Sequence, residues 1–313
     1  MDLFSLGVLA VKAGARDTPR ELIIKKEVFI MGKKVKFTKM HGCGNDYVYI
    51  DCTKKMIDNP EKVSEYVSDR HFGIGSDGLI LICPSDVADF RMKMYNADGS
   101  EGSMCGNGVR CIAKYVYDKG LTDKTNISLE TKSGIKYLEL TVENEKVVKV
   151  KVNMGAPILK PSDIPVKSDK DVFIDEPVEV DGVDYRVTCV SMGNPHAVTF
   201  VDDTSSIPIE KIGPKFENHP IFPDRVNTEF VQLISRNEVN MRVWERGSGE
   251  TLACGTGTCA TVVACVLNDK TDDEVLVHLL GGDLFIKYDR ENDTVWMTGP
   301  AEIVFEGEIE LPF

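Results

Sequence analysis

Hydrophobic positions along the chain switch between a period of two, which lines one face of a strand, and spacings of three and four, which line one face of a helix. Val35, Phe37 and Met40 lead into a turn at His41-Gly-Cys-Gly-Asn45, and residues 47–50 read as a strand. Residues 60–69 have helical spacing, residues 71–78 form a glycine-rich turn, and residues 79–82 and 90–95 read as short strands. After Cys105, the positions Ile112, Ala113, Tyr115 and Val116 predict a helix to about residue 117, stopped at Lys119-Gly120. Residues 127–131, 135–142 and 147–153 alternate like antiparallel strands, and the proline-flanked segment 157–165 reads as a linker.

The same order then recurs. Strands are expected at 185–190, 197–201, 230–234 and 240–244, a helix from 254 to about 268, and strands at 275–279, 284–288 and 294–298. The alternating tail, 301–309, finds no counterpart position left in the second copy and is expected to return to the first.

Two stretches show that this recurrence is a duplication. Met104-Cys-Gly-Asn-Gly-Val-Arg-Cys111 and Ala253-Cys-Gly-Thr-Gly-Thr-Cys-Ala260 each place a cysteine before Gly-x-Gly and run into a helical pattern. Cys105 and Cys254 are 149 residues apart, as are Asn45 and Asn194, and Glu101 and Glu250. Three matches at one offset point to a domain-sized repeat. The expected fold is α+β, with two pseudo-symmetric domains facing each other across a cleft. Each is a curled antiparallel or mixed sheet wrapped around a central helix. Residues 34–156 with 300–313 would form the first domain and 157–299 the second. Residues 1–33 would be an extension outside the repeat, explained by an upstream start codon or by an extra surface helix.

Charge and cysteine content narrow the function. A net charge of −13 argues against nucleic acid or an anionic membrane as partner. The apolar start of the chain lacks a preceding basic region and is too short to span a bilayer. Nine irregularly spaced cysteines do not read as a disulfide framework, and without a CxxC pair a structural zinc site is poorly supported. A reducing cytoplasm fits, with no metal and no organic cofactor indicated.

A glycine-rich turn entering a helix presents free backbone N–H groups, and a cysteine there feels the positive end of the helix dipole, which favours thiolate. Two such turns around one cleft suit the inversion of a carbon stereocentre. One thiolate removes a proton from one face while the other thiol delivers a proton to the opposite face. The N–H groups at Gly106-Asn107 and Gly255-Thr256 could hold the adjoining carboxylate as negative charge spreads into it.

Taken together, these motifs closely resemble the diaminopimelate epimerase family. The resemblance runs from Val35 to the C-terminus through Phe37-Thr-Lys-Met-His-Gly-Cys-Gly-Asn-Asp46, Gly73-Ile-Gly-Ser-Asp77, Tyr95-Asn-Ala-Asp-Gly-Ser100, Met104-Cys-Gly-Asn-Gly108, Gly193-Asn-Pro-His196, Arg225-Val-Asn227, Trp244-Glu-Arg-Gly-Ser-Gly249 and Ala253-Cys-Gly-Thr-Gly257. It implies two barrel-like units, a homodimer, and cofactor-independent interconversion of LL- and meso-diaminopimelate, with the amino acid as the small-molecule partner. It carries the acid–base role to Cys105 and Cys254. It carries substrate contact to Asn45, Asn96, Asn194, Asn227, Glu245 and Arg246, and tuning of the thiols to His196 and Glu245. Gly78 departs from the glutamine that many family members hold there.

Two other readings compete: a sister racemase for proline, hydroxyproline or histidine, and a non-enzymatic thiol redox or binding protein. Proline-type relatives usually carry histidine where this chain has Asn107, and Arg246 suits a substrate with a second charged end. The redox reading leaves the two Gly-Asn turns unexplained.

Overall fold

The strands Lys33–Gly42 and Asn45–Asp51 form an antiparallel hairpin, and 149 residues on, Val183–Ser191 and Pro195–Phe200 form another. The computed structural model that shows this describes residues 33–313; the expected extension lies almost wholly outside them.

Each hairpin continues in the same way. Asn45–Asp51 pairs in parallel with Gly78–Cys83, which pairs antiparallel with Phe90–Asn96. Pro195–Phe200 pairs in parallel with Asn227–Ser235, which pairs antiparallel with Glu238–Glu245. A second parallel step and two more antiparallel strands complete each unit, through Lys146–Gly155 in one and Thr294–Gly299 in the other. The helices obey the same arithmetic: α1 (Pro60–Ser68) and α2 (Gly106–Asp118) recur as α3 (Ile209–Glu217) and α4 (Gly255–Leu267), each boundary displaced by 149. Neither α3, which holds Pro214 in its interior, nor the strands Glu176–Val180 and Gly249–Thr251 are expected from the sequence pattern.

The units share backbone as well as pattern. Lys146–Gly155 pairs antiparallel with Thr294–Gly299, and the last strand, Glu302–Leu311, returns to pair with Lys33–Gly42. The described strands therefore belong to one continuous sheet.

Helices α2 and α4 are its axis. Val109, Ile112, Ala113 and Val116 of α2 join Ala260, Val262, Val263 and Val266 of α4 in one apolar cluster with the inward residues of both sheet halves. Helix α4 is buried on nearly every face, which its run of Ala, Val and Cys allows; α2 keeps Tyr115 and Tyr117 half-buried. Cys111, Cys259 and Cys265 lie fully inside, and Cys52, Cys83 and Cys189 are also buried, all as core residues. Among the described residues, no helix is long and apolar enough to cross a membrane.

Candidate active site

Helices α2 and α4 begin at the same place. A Cβ added to Gly106 would lie 3.8 Å from the Cα of Gly255, and one added to Gly255 would lie 3.7 Å from the Cα of Gly106. Met297 caps this junction, with its methyl group 3.0 Å from the first of those positions and its sulfur 3.2 Å from the second. A Cβ on either glycine would make ordinary contact with the other helix end and would crowd Met297, so small residues suit both sides of the junction.

Cys105 and Cys254 precede these glycines, both in extended conformation as the N-cap residues. Cys105 Sγ accepts a hydrogen bond from the Gly108 N–H at 3.3 Å. The Cys254 sulfur lies 3.5 Å from Thr256 Oγ1. The free N–H groups of two helix ends are thus gathered at one junction, the arrangement that binds an anion such as a carboxylate.

The helix dipole was expected to favour thiolate. Burial outweighs it: both thiols are pushed up from the ordinary cysteine value, Cys254 well above it. For Cys105 the N–H groups of Gly108 and Asn107 and the charge of Arg110 pull the other way, and Glu245 pushes up. For Cys254 the carboxylates of Glu245 and Glu229 add to burial. One carboxylate, Glu245, pushes both thiols up.

Asn45 faces the first cysteine. Its Nδ2 donates to Asp77 Oδ2 at 2.8 Å, so its Oδ1 points to Cys105, whose thiol donates to it at 3.2 Å. Asn107 Nδ2 donates to the same oxygen at 3.2 Å. On the second side, Asn194 Oδ1 lies 3.0 Å from His196 Nε2, and His196 Nδ1 lies 2.7 Å from Glu229 Oε1. Asn227 Nδ2 donates to the Pro195 carbonyl, and its Oδ1 accepts from the Arg246 N–H at 3.0 Å. Glu245 accepts from Thr251 Oγ1 at 2.5 Å, and burial holds its carboxyl above the usual carboxylate range. The Arg246 guanidinium donates to the Asp224 carbonyl at 3.0 Å.

These contacts draw together Asn45, Gly106 and Asn107 around Cys105, and Asn194, His196, Glu245, Gly255 and Thr256 around Cys254. Asn227 and Arg246 are tied to each other beside them. Asn96, at the end of its strand, has local contacts: its Nδ2 donates to Ser100 Oγ and its side is exposed. At Gly78 a Cβ would lie 2.1 Å from the Tyr95 carbonyl oxygen, so the local backbone leaves no room for a side chain.

Sequence reasoning missed Glu229 and Arg110, both fully buried. The repeat could have found Glu229, which stands 149 residues after Ile80. A Cβ on Gly108 would strike Ile80 Cδ1 at 2.6 Å, and one on Gly257 would strike Glu229 Oε1 at 2.4 Å. Equivalent places behind the two cysteines thus hold an apolar group on one side and a carboxylate on the other.

Comparison with solved structures places this architecture among the two-unit folds of curled sheets around paired helices. A phenazine biosynthesis protein of the PhzF family from Bacillus anthracis matches with a TM-score of 0.64 at 18% identity, over 89% of this chain and 100% of that one. The chain itself belongs to the diaminopimelate epimerase family, whose model matches residues 37–160 and 188–304. A diaminopimelate epimerase of Agathobacter rectalis is 65% identical over 284 residues, covering 88% of this chain and all of that protein. Another, from Acetivibrio thermocellus, is 60% identical over 277 residues, covering 88% and 99%.

Proposed function

We propose that Cys105 and Cys254 are the two acid–base groups with which this isomerase converts LL-2,6-diaminopimelate to the meso form. Membership of the diaminopimelate epimerase family makes the chain an epimerase of diaminopimelate. The observation that carries the roles is the junction at Gly106 and Gly255, which sets a cysteine at the N-terminus of each of two abutting helices.

In this reading the substrate α-carbon sits between the sulfurs. One thiolate takes the α-proton, leaving its electron pair on the carbon, and the opposite thiol returns a proton to the other face. Charge spreading into the carboxylate meets the N–H groups of Gly106, Asn107, Gly255 and Thr256, fixed before the reaction begins. Asn45, Asn96, Asn194, Asn227, Glu245 and Arg246 hold the distal amino-acid end, with Arg246 as the carboxylate partner. His196 and Glu245 tune the thiols.

We also infer a homodimer working in the cytoplasm, on the family resemblance, and a division into residues 34–156 with 300–313 and residues 157–299. The return of Glu302–Leu311 to Lys33–Gly42 supports that division.

Incubation with LL-diaminopimelate in deuterated water under reducing conditions tests the reaction. Deuterium is expected at the α-carbon; its absence would sink the reading.

A further inference from the structure

We propose that Arg110 is a positioning residue that readies the first half-site for negative charge, so that Cys105 ionises ahead of Cys254 in the substrate-free protein. The inference deepens the two-thiol reading above and rests on it.

Arg110 is fully buried. Its guanidinium donates to the Pro300 carbonyl at 3.1 Å, to the Gly106 carbonyl at 3.2 Å and to Asn107 Oδ1 at 2.9 Å. Its other polar contacts are the sulfurs of Met297 and Cys43, at 3.6 and 3.9 Å. Every one of these partners is formally neutral, and among the described residues no carboxylate pairs with it. An uncompensated buried cation is costly, and its charge stays available to whatever anion forms nearby.

That anion has a place to form. Arg110 lies one turn into α2 from Cys105. By occupying Asn107 Oδ1 it turns Asn107 Nδ2 towards Asn45 Oδ1, the oxygen that also receives the Cys105 thiol proton. When that proton leaves, Asn45 Oδ1 keeps a donor and the sulfur keeps the Gly108 N–H. The proton can therefore depart without orphaning a buried polar atom.

The second half-site lacks this device. The residue 149 positions after Arg110 is Cys259, and the groups facing Cys254 are the acidic Glu245 and Glu229, with His196 held on Glu229 by a 2.7 Å contact. Those facing Cys105 are Arg110 and Cys111 from its own helix, Tyr47 and Tyr49 from the strand Asn45–Asp51, and Glu245 from across the junction. Arg110 is the one permanent cation in either set, and the imidazole on the second side is matched to the Glu229 carboxylate. A pair of cysteines alike in sequence is thereby made unlike in charge.

Alkylation by iodoacetamide, followed at each cysteine by peptide mass spectrometry as a function of pH, tests this without substrate or turnover. Its failure is thus separable from failure of the epimerase reading. In the unaltered protein, Cys105 should react at lower pH than Cys254; the reverse order, or coincident profiles, would overturn the proposal. Arg110→Met should move the Cys105 profile to higher pH, slowing its alkylation near neutrality by about tenfold or more, and leave Cys254 where it was. Arg110→Lys, which keeps the charge, should restore most of the Cys105 profile. Equal displacement of both cysteines by Arg110→Met, or no displacement, would show a merely structural role. If that variant does not fold, the order of reactivity in the unaltered protein still decides.

Discussion

Gly106 and Gly255 meet where α2 and α4 begin, so close that a methyl group on either would press on Met297. Replacing Gly255 by Ala should therefore cost about 1–3 kcal/mol of stability through overpacking. It should also lower activity by about 10²-fold, because the two cysteines would be displaced relative to each other. Denaturant midpoints and epimerisation rates measure the two effects. A simultaneous Met297→Ala change, which makes room at the cost of a cavity, should lower stability by less than the sum of the two single changes.

Cys105→Ala and Cys254→Ala should each lower epimerisation by about 10²–10⁴-fold or more while leaving the circular dichroism spectrum unchanged. Normal turnover in either variant would defeat the two-base assignment.

Glu229 sits behind Cys254 with one carboxylate oxygen on His196 and the other without a partner. Its negative charge disfavours thiolate at Cys254, so removing that charge favours thiolate. Glu229→Gln should shift the Cys254 alkylation profile to lower pH, by about tenfold in rate at fixed pH, and leave Cys105 nearly unaffected. Glu229→Ala, which strips His196 Nδ1 of its partner, should cost about 1–3 kcal/mol in a denaturant titration.

Alkali should destabilise the fold. Burial pushes Cys111, Cys259 and Cys265 up to about 12. Their folded values lie above the unfolded ones, so the stability they contribute is fully present below the ordinary thiol range. It is lost as pH rises through that range towards the folded values. Each contributes a slope of about 1.4 kcal/mol per pH unit there. Denaturant midpoints measured from neutral pH upward should fall accordingly, and Cys265→Ala should flatten the slope.

Local chemistry made the cysteines legible: a thiol, a Gly-x-Gly turn and a helical run are all written within a dozen residues. The central strands were legible for the same reason, since alternation is a local signal. Helix α3 was not, because Pro214 inside it reads as a helix breaker, although the offset from α1 marks its place. Glu229 falls just before the strand expected at 230–234, in a stretch that the structure adds to that strand. It is buried because His196 arrives from the neighbouring parallel strand, a contact set by register and not by sequence neighbours. Arg110 likewise carries no local mark of burial, and segments distant in sequence, at Cys43, Met297 and Pro300, enclose it.

The lacing of Glu302–Leu311 onto Lys33–Gly42, and of Thr294–Gly299 onto Lys146–Gly155, bears on how the duplicated gene can be cut. A fragment ending at residue 156 would bare two strand edges, and the remainder would bare their mates. Neither piece carries a closed sheet, so co-expressed fragments have each other as the natural remedy, and either one made alone faces aggregation.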